Sequence, residues 1–116
     1  MDAEISPEAV ETLLESGDAP QIVDIRRPAA FRRGHIPGSQ NIPFDRLPAE
    51  IETLEDAAHI VTVCPHGQAS VQAARLIASY EGTQDARIES MHGGLTEWPG
   101  EFAADTAPEE GPDAPF

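Results

Sequence analysis

Two short runs rich in β-branched residues, Gln21-Ile22-Val23-Asp24-Ile25 and Ile60-Val61-Thr62-Val63, do most to limit what this chain can become. They read as strands buried on both sides rather than as half-exposed ones. A sheet of such strands needs helices above and below it, and the intervening segments supply helical patterns. Ser6 ahead of Pro7 and Glu8 is an N-cap followed by proline at the first helical position, which predicts a helix over residues 7–16 stopped by Gly17. Pro28 to Arg33 predicts a short helix, Gly34 to Ser39 a tight turn, Asn41-Ile42-Pro43 a brief strand and residues 45–54 a further helix. Residues 68–80 are rich in alanine and place Val71, Ala74, Ile77 and Ala78 on one face, as in a helix packed on a sheet. A weaker strand over residues 86–90 leads through Gly93-Gly94 to a last helical turn near Trp98. Strand and helix alternate, so the expected class is α/β: a mainly parallel sheet with helices on both faces and its ligands at the carboxyl ends of the strands.

The length of 116 residues gives room for one domain. Residues 1–102 are read as that domain and residues 103–116 as an acidic, proline-rich flexible tail without strand or helix period, with Phe102 and Phe116 the residues able to pack back onto the domain. The chain carries 21 acidic residues against seven arginines and no lysine, a net charge of -14. Such a field repels nucleic acid and anionic membranes, so neither is expected as a partner. An acidic, lysine-free surface is also the pattern of halophilic proteins, whose carboxylates keep them hydrated in salt. No apolar run approaches the roughly 18 residues of a membrane span, and the start is acidic where a secretory signal is basic and then apolar. A cytoplasmic location follows as an expectation. Nothing in the sequence supports oligomerisation, so a monomer is expected.

Cys64 is the chain's single cysteine, which forbids an internal disulfide. His35, His59, His66 and His92 are dispersed, so neither a metal nor any other cofactor is expected. What marks Cys64 is its setting, between a buried strand and the amino end of a helix, with Gly67 allowing the backbone to turn tightly. Amides of such a loop can curl around the sulfur and, with the helix dipole, favour thiolate over thiol. The same cradle suits a persulfide anion. The pattern alone equally describes an inert buried cysteine.

Three stretches tip that balance. Residues 23–43, VDIRRPAAFRRGHIPGSQNIP, resemble the N-terminal signature of rhodanese domains, an Asp-x-Arg followed by Gly-His-Ile-Pro-Gly and Asn-Ile-Pro. Residues 64–70, CPHGQAS, resemble the family's active-site loop, and residues 91–98, MHGGLTEW, its Gly-Gly-x-x-x-Trp motif. The resemblance implies a three-layer α/β/α sandwich around a five-stranded, mainly parallel sheet, and transfer of sulfane sulfur through a cysteine persulfide. It makes Cys64 the sulfur carrier and Pro65, His66, Gly67, Gln68, Ala69 and Ser70 its substrate-binding cradle. Asp24 and Arg26 match positions that mostly fix loops near the site, and His35 one that stabilises its turn; all three are supporting candidates.

The loop departs from the family at Ala69, where active members often carry arginine, the side chain best shaped to clamp a sulfonate. His66 and Gln68 are the loop side chains left to offer donors. The expected donor is therefore a smaller or less anionic persulfide or polysulfide. With no second thiol in the chain, the acceptor must be external: a small thiol, a sulfur-carrier protein, or cyanide in the test tube. The alternative is a non-catalytic rhodanese-like module that binds or senses sulfur. A phosphatase of the related cell-cycle type is disfavoured, because Ser70 stands where that chemistry needs arginine.

Overall fold

Ser6 acts as the cap its position predicts: in the computed structural model, which describes residues 3–104, its hydroxyl accepts from the Ala9 amide at 3.1 Å. Pro7 opens α1 (Pro7–Ser16), and Gly17 closes it in the left-handed conformation, φ 86°. Five strands, β1 (Glu4–Ile5), β2 (Gln21–Asp24), β3 (Gln40–Asn41), β4 (His59–Val63) and β5 (Arg87–Met91), form one sheet in the order β1-β5-β4-β2-β3. Every neighbouring pair is parallel. The other helices are α2 (Pro28–Arg33), α3 (Leu47–Glu50) and α4 (Ala69–Ala78).

Alternate residues of the inner strands feed two cores. Val23, Ile25 and Ile60 pack with Leu47, Leu54, Ala73 and Ile77, while Ile22, Val61 and Val63 pack with Val10, Met91 and Trp98. Burial on both faces is the reason these strands are almost continuously apolar. Two acids are buried on these strands, Asp24 on β2 and Glu89 on β5; Glu89 is paired with His59 Nε2 at 2.7 Å and Arg87 at 3.1 Å.

Three sequence expectations change. A two-residue strand, β1, precedes the helix that was expected to come first; its pairing with Ser90 and Met91 is a long-range contact with no local signal. The single helix expected over residues 45–54 is instead a 3-10 turn (Phe44–Arg46), the α-helical turn α3 and a second 3-10 turn (Ile51–Leu54). Pro48 lies in that stretch and has no amide to continue a helical ladder. The buried seam of α4 is Ser70, Ala73, Ala74 and Ile77, so Val71 is only partly covered and Ala78 is exposed. Ser70 is drawn inward because it reaches the cysteine, described below.

Ala103 forms an antiparallel bridge with His35, with N–H to O distances of 2.9 and 2.8 Å. Residues 105–116, which hold most of the expected tail and Phe116, lie outside the described residues. Among the described residues no helix is long and apolar enough to cross a membrane.

Candidate active site

β4 lies between β5 and β2, where the order of strands reverses relative to the chain, and a crevice opens at the carboxyl ends of strands at such a point. Cys64 is the first residue past the end of β4. Its residue is 2% exposed, and its sulfur faces the loop that follows. The Gly67 amide donates to Sγ at 3.1 Å, the Ser70 amide at 3.3 Å, and the Ser70 Oγ lies 3.3 Å from the sulfur. Gly67 takes φ 80°, which lets the chain curl back around the sulfur before α4 begins.

Burial alone pushes the Cys64 thiol up. The Ser70 hydroxyl, the Ser70 amide and the His66 and Gly67 amides together outweigh it, leaving the thiol below its ordinary value of 9.0. Thiolate, the attacking form, is thus present at a lower pH than for a free cysteine, and its fraction falls as pH drops through the lowered value.

The loop has two faces. Its amides point at the sulfur, while its carbonyls point back to the segment after β5: Cys64 O accepts from the Leu95 amide at 2.8 Å, and Pro65 O from the Thr96 amide at 3.1 Å. Gly94 makes that approach feasible, since a Cβ there would lie 2.4 Å from Pro65 O and 2.5 Å from Gly67 N. The Gly-Gly-x-x-x-Trp segment is therefore the back wall of the cradle. From the sequence, Gly93-Gly94 and Trp98 read as turn and core residues whose loop could flank the cleft; the glycine pair is the available signal, but the atoms it meets are not legible there.

The sulfur opens on a small pocket of about 140 Å³ lined by Cys64, Pro65, His66, Gln68 and Ala69. None of these contributes a permanently cationic side chain. Of the predicted cradle, Gly67 and Ser70 bond the sulfur directly, and Pro65, having no amide hydrogen, serves through its carbonyl.

Asp24 and Arg26 do not join them. Asp24, wholly buried, accepts from the Arg26 side chain, NH2 to Oδ2 at 2.8 Å, and from the Arg26 amide at 3.0 Å. Arg26 also donates to Gly34 O at 2.6 Å, and Asn41 Nδ2 donates to the carbonyls of Asp24 and Arg26. The pair ties the end of β2 to the following turn and to β3. Arg26→Ala is expected to destabilise the fold by about 2 kcal/mol in urea unfolding. That is below the roughly 3–5 kcal/mol of an enclosed pair, because Arg26 is partly exposed and the backbone amide still serves Asp24. A loss under about 0.5 kcal/mol would make it an ordinary surface pair. His35 is likewise outside the pocket lining: Nδ1 donates to Phe31 O at 2.7 Å and the ring stacks on Phe31 with centroids 3.8 Å apart.

A parallel sheet covered on both faces, with one cysteine sulfur held by loop amides at the carboxyl end of its middle strand, defines a class of small α/β domains that hold a cysteine in a strand-to-helix loop. The chain belongs to the rhodanese-like domain family, whose model matches residues 6–101. It is 38% identical over 103 residues to a protein of Pseudomonas aeruginosa named thiosulfate sulfurtransferase GlpE, covering 89% of each chain. It is also 38% identical to the protein of that name from Pseudomonas fluorescens, over 89% of this chain and 90% of the relative. Among solved structures, the rhodanese-like domain of an Anabaena protein matches with a TM-score of 0.75 and 21% identity, over 100% of this chain and 88% of the other. A rhodanese-like domain protein of Staphylococcus aureus matches at 0.73 and 21% identity, over 88% of this chain and 97% of the other.

Proposed function

We propose that the chain is a sulfurtransferase that carries a sulfane sulfur as a persulfide on Cys64 and passes it to an external thiol or to cyanide. The observation that carries this reading is the polar ring around one sulfur: two amides donate to it at 3.1 and 3.3 Å, and the Ser70 hydroxyl, able to donate once the sulfur is an anion, lies at 3.3 Å. An anion is stabilised there before and after loading. The curated relatives' names support sulfur transfer in general.

In the first half-reaction the Cys64 thiolate attacks the outer sulfur of the donor. An S–S bond forms to Cys64, the donor's own bond to that sulfur breaks, and the electron pair leaves with the remainder; from thiosulfate the leaving group is sulfite. In the second, an acceptor thiolate attacks the outer persulfide sulfur and releases the Cys64 thiolate. With cyanide the product is thiocyanate. Neither half needs an outside oxidant or reductant.

The donor preference follows from charge. Residues 25–44 hold four of the seven arginines and no acid, and Arg27, Arg32 and Arg33 are exposed beyond the carboxyl end of β2. This stretch draws anions toward the site in a chain that otherwise repels them. The pocket itself has alanine at residue 69 and no guanidinium clamp, so the sulfonate oxygens of thiosulfate find no paired donors once it arrives, whereas polysulfide has no such oxygens to satisfy. We therefore expect polysulfide to saturate the protein at a lower concentration than thiosulfate. The check is intact-mass measurement after exposure to each donor, followed by cyanide or a thiol. Gain of one sulfur mass and its discharge support transfer; loading without discharge fits a sulfur-sensing module; thiosulfate superiority by a wide margin overturns the donor preference. We further propose a cytoplasmic monomer, where a low thiol pKa is kept useful by a reducing compartment.

A further inference from the structure

Behind the Cys64 cradle is a second hydroxyl with no assigned role. Ser90, on β5, is completely buried, and its Oγ lies 2.7 Å from Ser70 Oγ, which lies 3.3 Å from the Cys64 sulfur. The three atoms form a chain: sulfur, first hydroxyl, second hydroxyl. Ser70 is fixed independently, because the Thr62 hydroxyl donates to its carbonyl at 2.7 Å from β4, the strand paired with β5. Among the described residues the Ser90 hydroxyl has Ser70 as its sole side-chain partner.

Counting hydrogens shows what this chain does. With Cys64 as a thiol, three hydrogens share two gaps, so one hydrogen is left without a place in the chain. With Cys64 as a thiolate, two hydrogens fill two gaps: Ser90 donates to Ser70, and Ser70 donates to the sulfur. The loop amides favour the same direction, since they too aim hydrogens at the sulfur. A buried donor left unmade is costly, so complete burial of Ser90 weights the balance toward the anion.

We infer that Ser90 is a positioning residue, which acts through the Ser70 hydroxyl to hold the Cys64 sulfur as a donor-saturated anion. A persulfide anion, extended by one atom, leaves the inner sulfur bonded to Cys64 Cβ and to the outer sulfur, and the oriented Ser70 hydroxyl remains beside it. The other bonding partners of the sulfur are loop amides, which do not titrate. On the surrounding elements the charged and titratable side chains are Glu4 on β1, in register with Ser90, His59 on β4, His66 on the loop, Asp24 and Arg26 at the end of β2, Arg75 on α4, Arg87 and Glu89 on β5, and His92 and Glu97 beyond it. Asp24 is paired with Arg26, and Glu89 with His59 and Arg87.

The inference rests on the reading of Cys64 as the reactive sulfur, yet its test needs no sulfur donor, so the two can fail separately. Iodoacetamide reports on a single site because the chain has one cysteine. Its alkylation rate against pH gives the midpoint of thiol ionisation. For Ser90→Ala the midpoint is expected to rise by about one unit, and the rate below it to fall about tenfold. Ser90→Thr, which keeps the hydroxyl, should stay close to the wild-type curve. Ser70→Ala should shift the midpoint at least as far, and the double variant no further than Ser70→Ala alone. Ser90→Gly, also without the hydroxyl, replaces Ser90→Ala if thermal unfolding shows the latter misfolded. An unshifted midpoint in the hydroxyl-free variants, or shifts that add in full to that of Ser70→Ala, would overturn the inference.

Discussion

Gly94→Ala is expected to lose about 4 kcal/mol of stability, or on the order of 20 °C in Tm, and to spoil the sulfur site in whatever folded protein remains. Two costs combine. Gly94 sits at φ 71° and ψ −168°, a region essentially reserved for glycine, which costs an L-residue roughly 1–3 kcal/mol. The added Cβ would also meet Pro65 O at 2.4 Å and Gly67 N at 2.5 Å. Both are backbone atoms of the cradle and cannot swing aside, so relief comes only by pushing the loop off the sulfur, at roughly 1–3 kcal/mol more. Gly38→Ala is the control, because Gly38 also has positive φ, 84°, but nothing lies within 4 Å of its Cβ position. It should lose only about 1–2 kcal/mol. Equal losses in urea unfolding would show that the contact between the two loops carries no weight.

Cys64→Ser is expected to abolish sulfur uptake from every donor and to cut transfer to acceptor by roughly a thousandfold or more, the scale on which loss of a nucleophile is felt. Serine fits the same space and offers an oxygen to the same amides, so the fold should survive. An alcohol, however, stays protonated across the working pH range and is a weak nucleophile without an adjacent base. Steady-state thiocyanate formation and intact mass read the two halves separately. A serine variant that still gained sulfur would place the carrier elsewhere and sink the proposal.

What the sequence made legible was local. The Ser6 cap, Gly17, the buried runs of β2 and β4 and the glycine in the cysteine loop announce themselves, because each is set by residues a few positions apart. β1 does not, since two residues carry no periodicity and its partner lies on β5, far along the chain. The face of α4 departs from the periodic expectation because Ser70 turns inward to the sulfur and to the Ser90 hydroxyl, contacts with other elements that no local period announces, and Ala78 is exposed. Ser90, Leu95 and Thr96 were missed for the same reason. Each acts across the sheet end, on atoms about 20–30 residues away in sequence. Asp24, Arg26 and His35 were named from the resemblance, and their bonds run to the β2–β3 turn, not to the sulfur.

The carbonyls of Cys64 and Pro65, each engaged by an amide of the 95–96 segment, have a consequence for signalling. One way for a change at a cysteine to spread is rotation of a peptide plane beside it, so that an oxygen and an amide hydrogen trade places. Here such a rotation would break a bond on the far wall and turn an oxygen toward an anion. If Cys64 carries sulfur as proposed, these two bonds oppose such a rotation on loading, and a partner would have to touch the sulfur itself to sense the cargo.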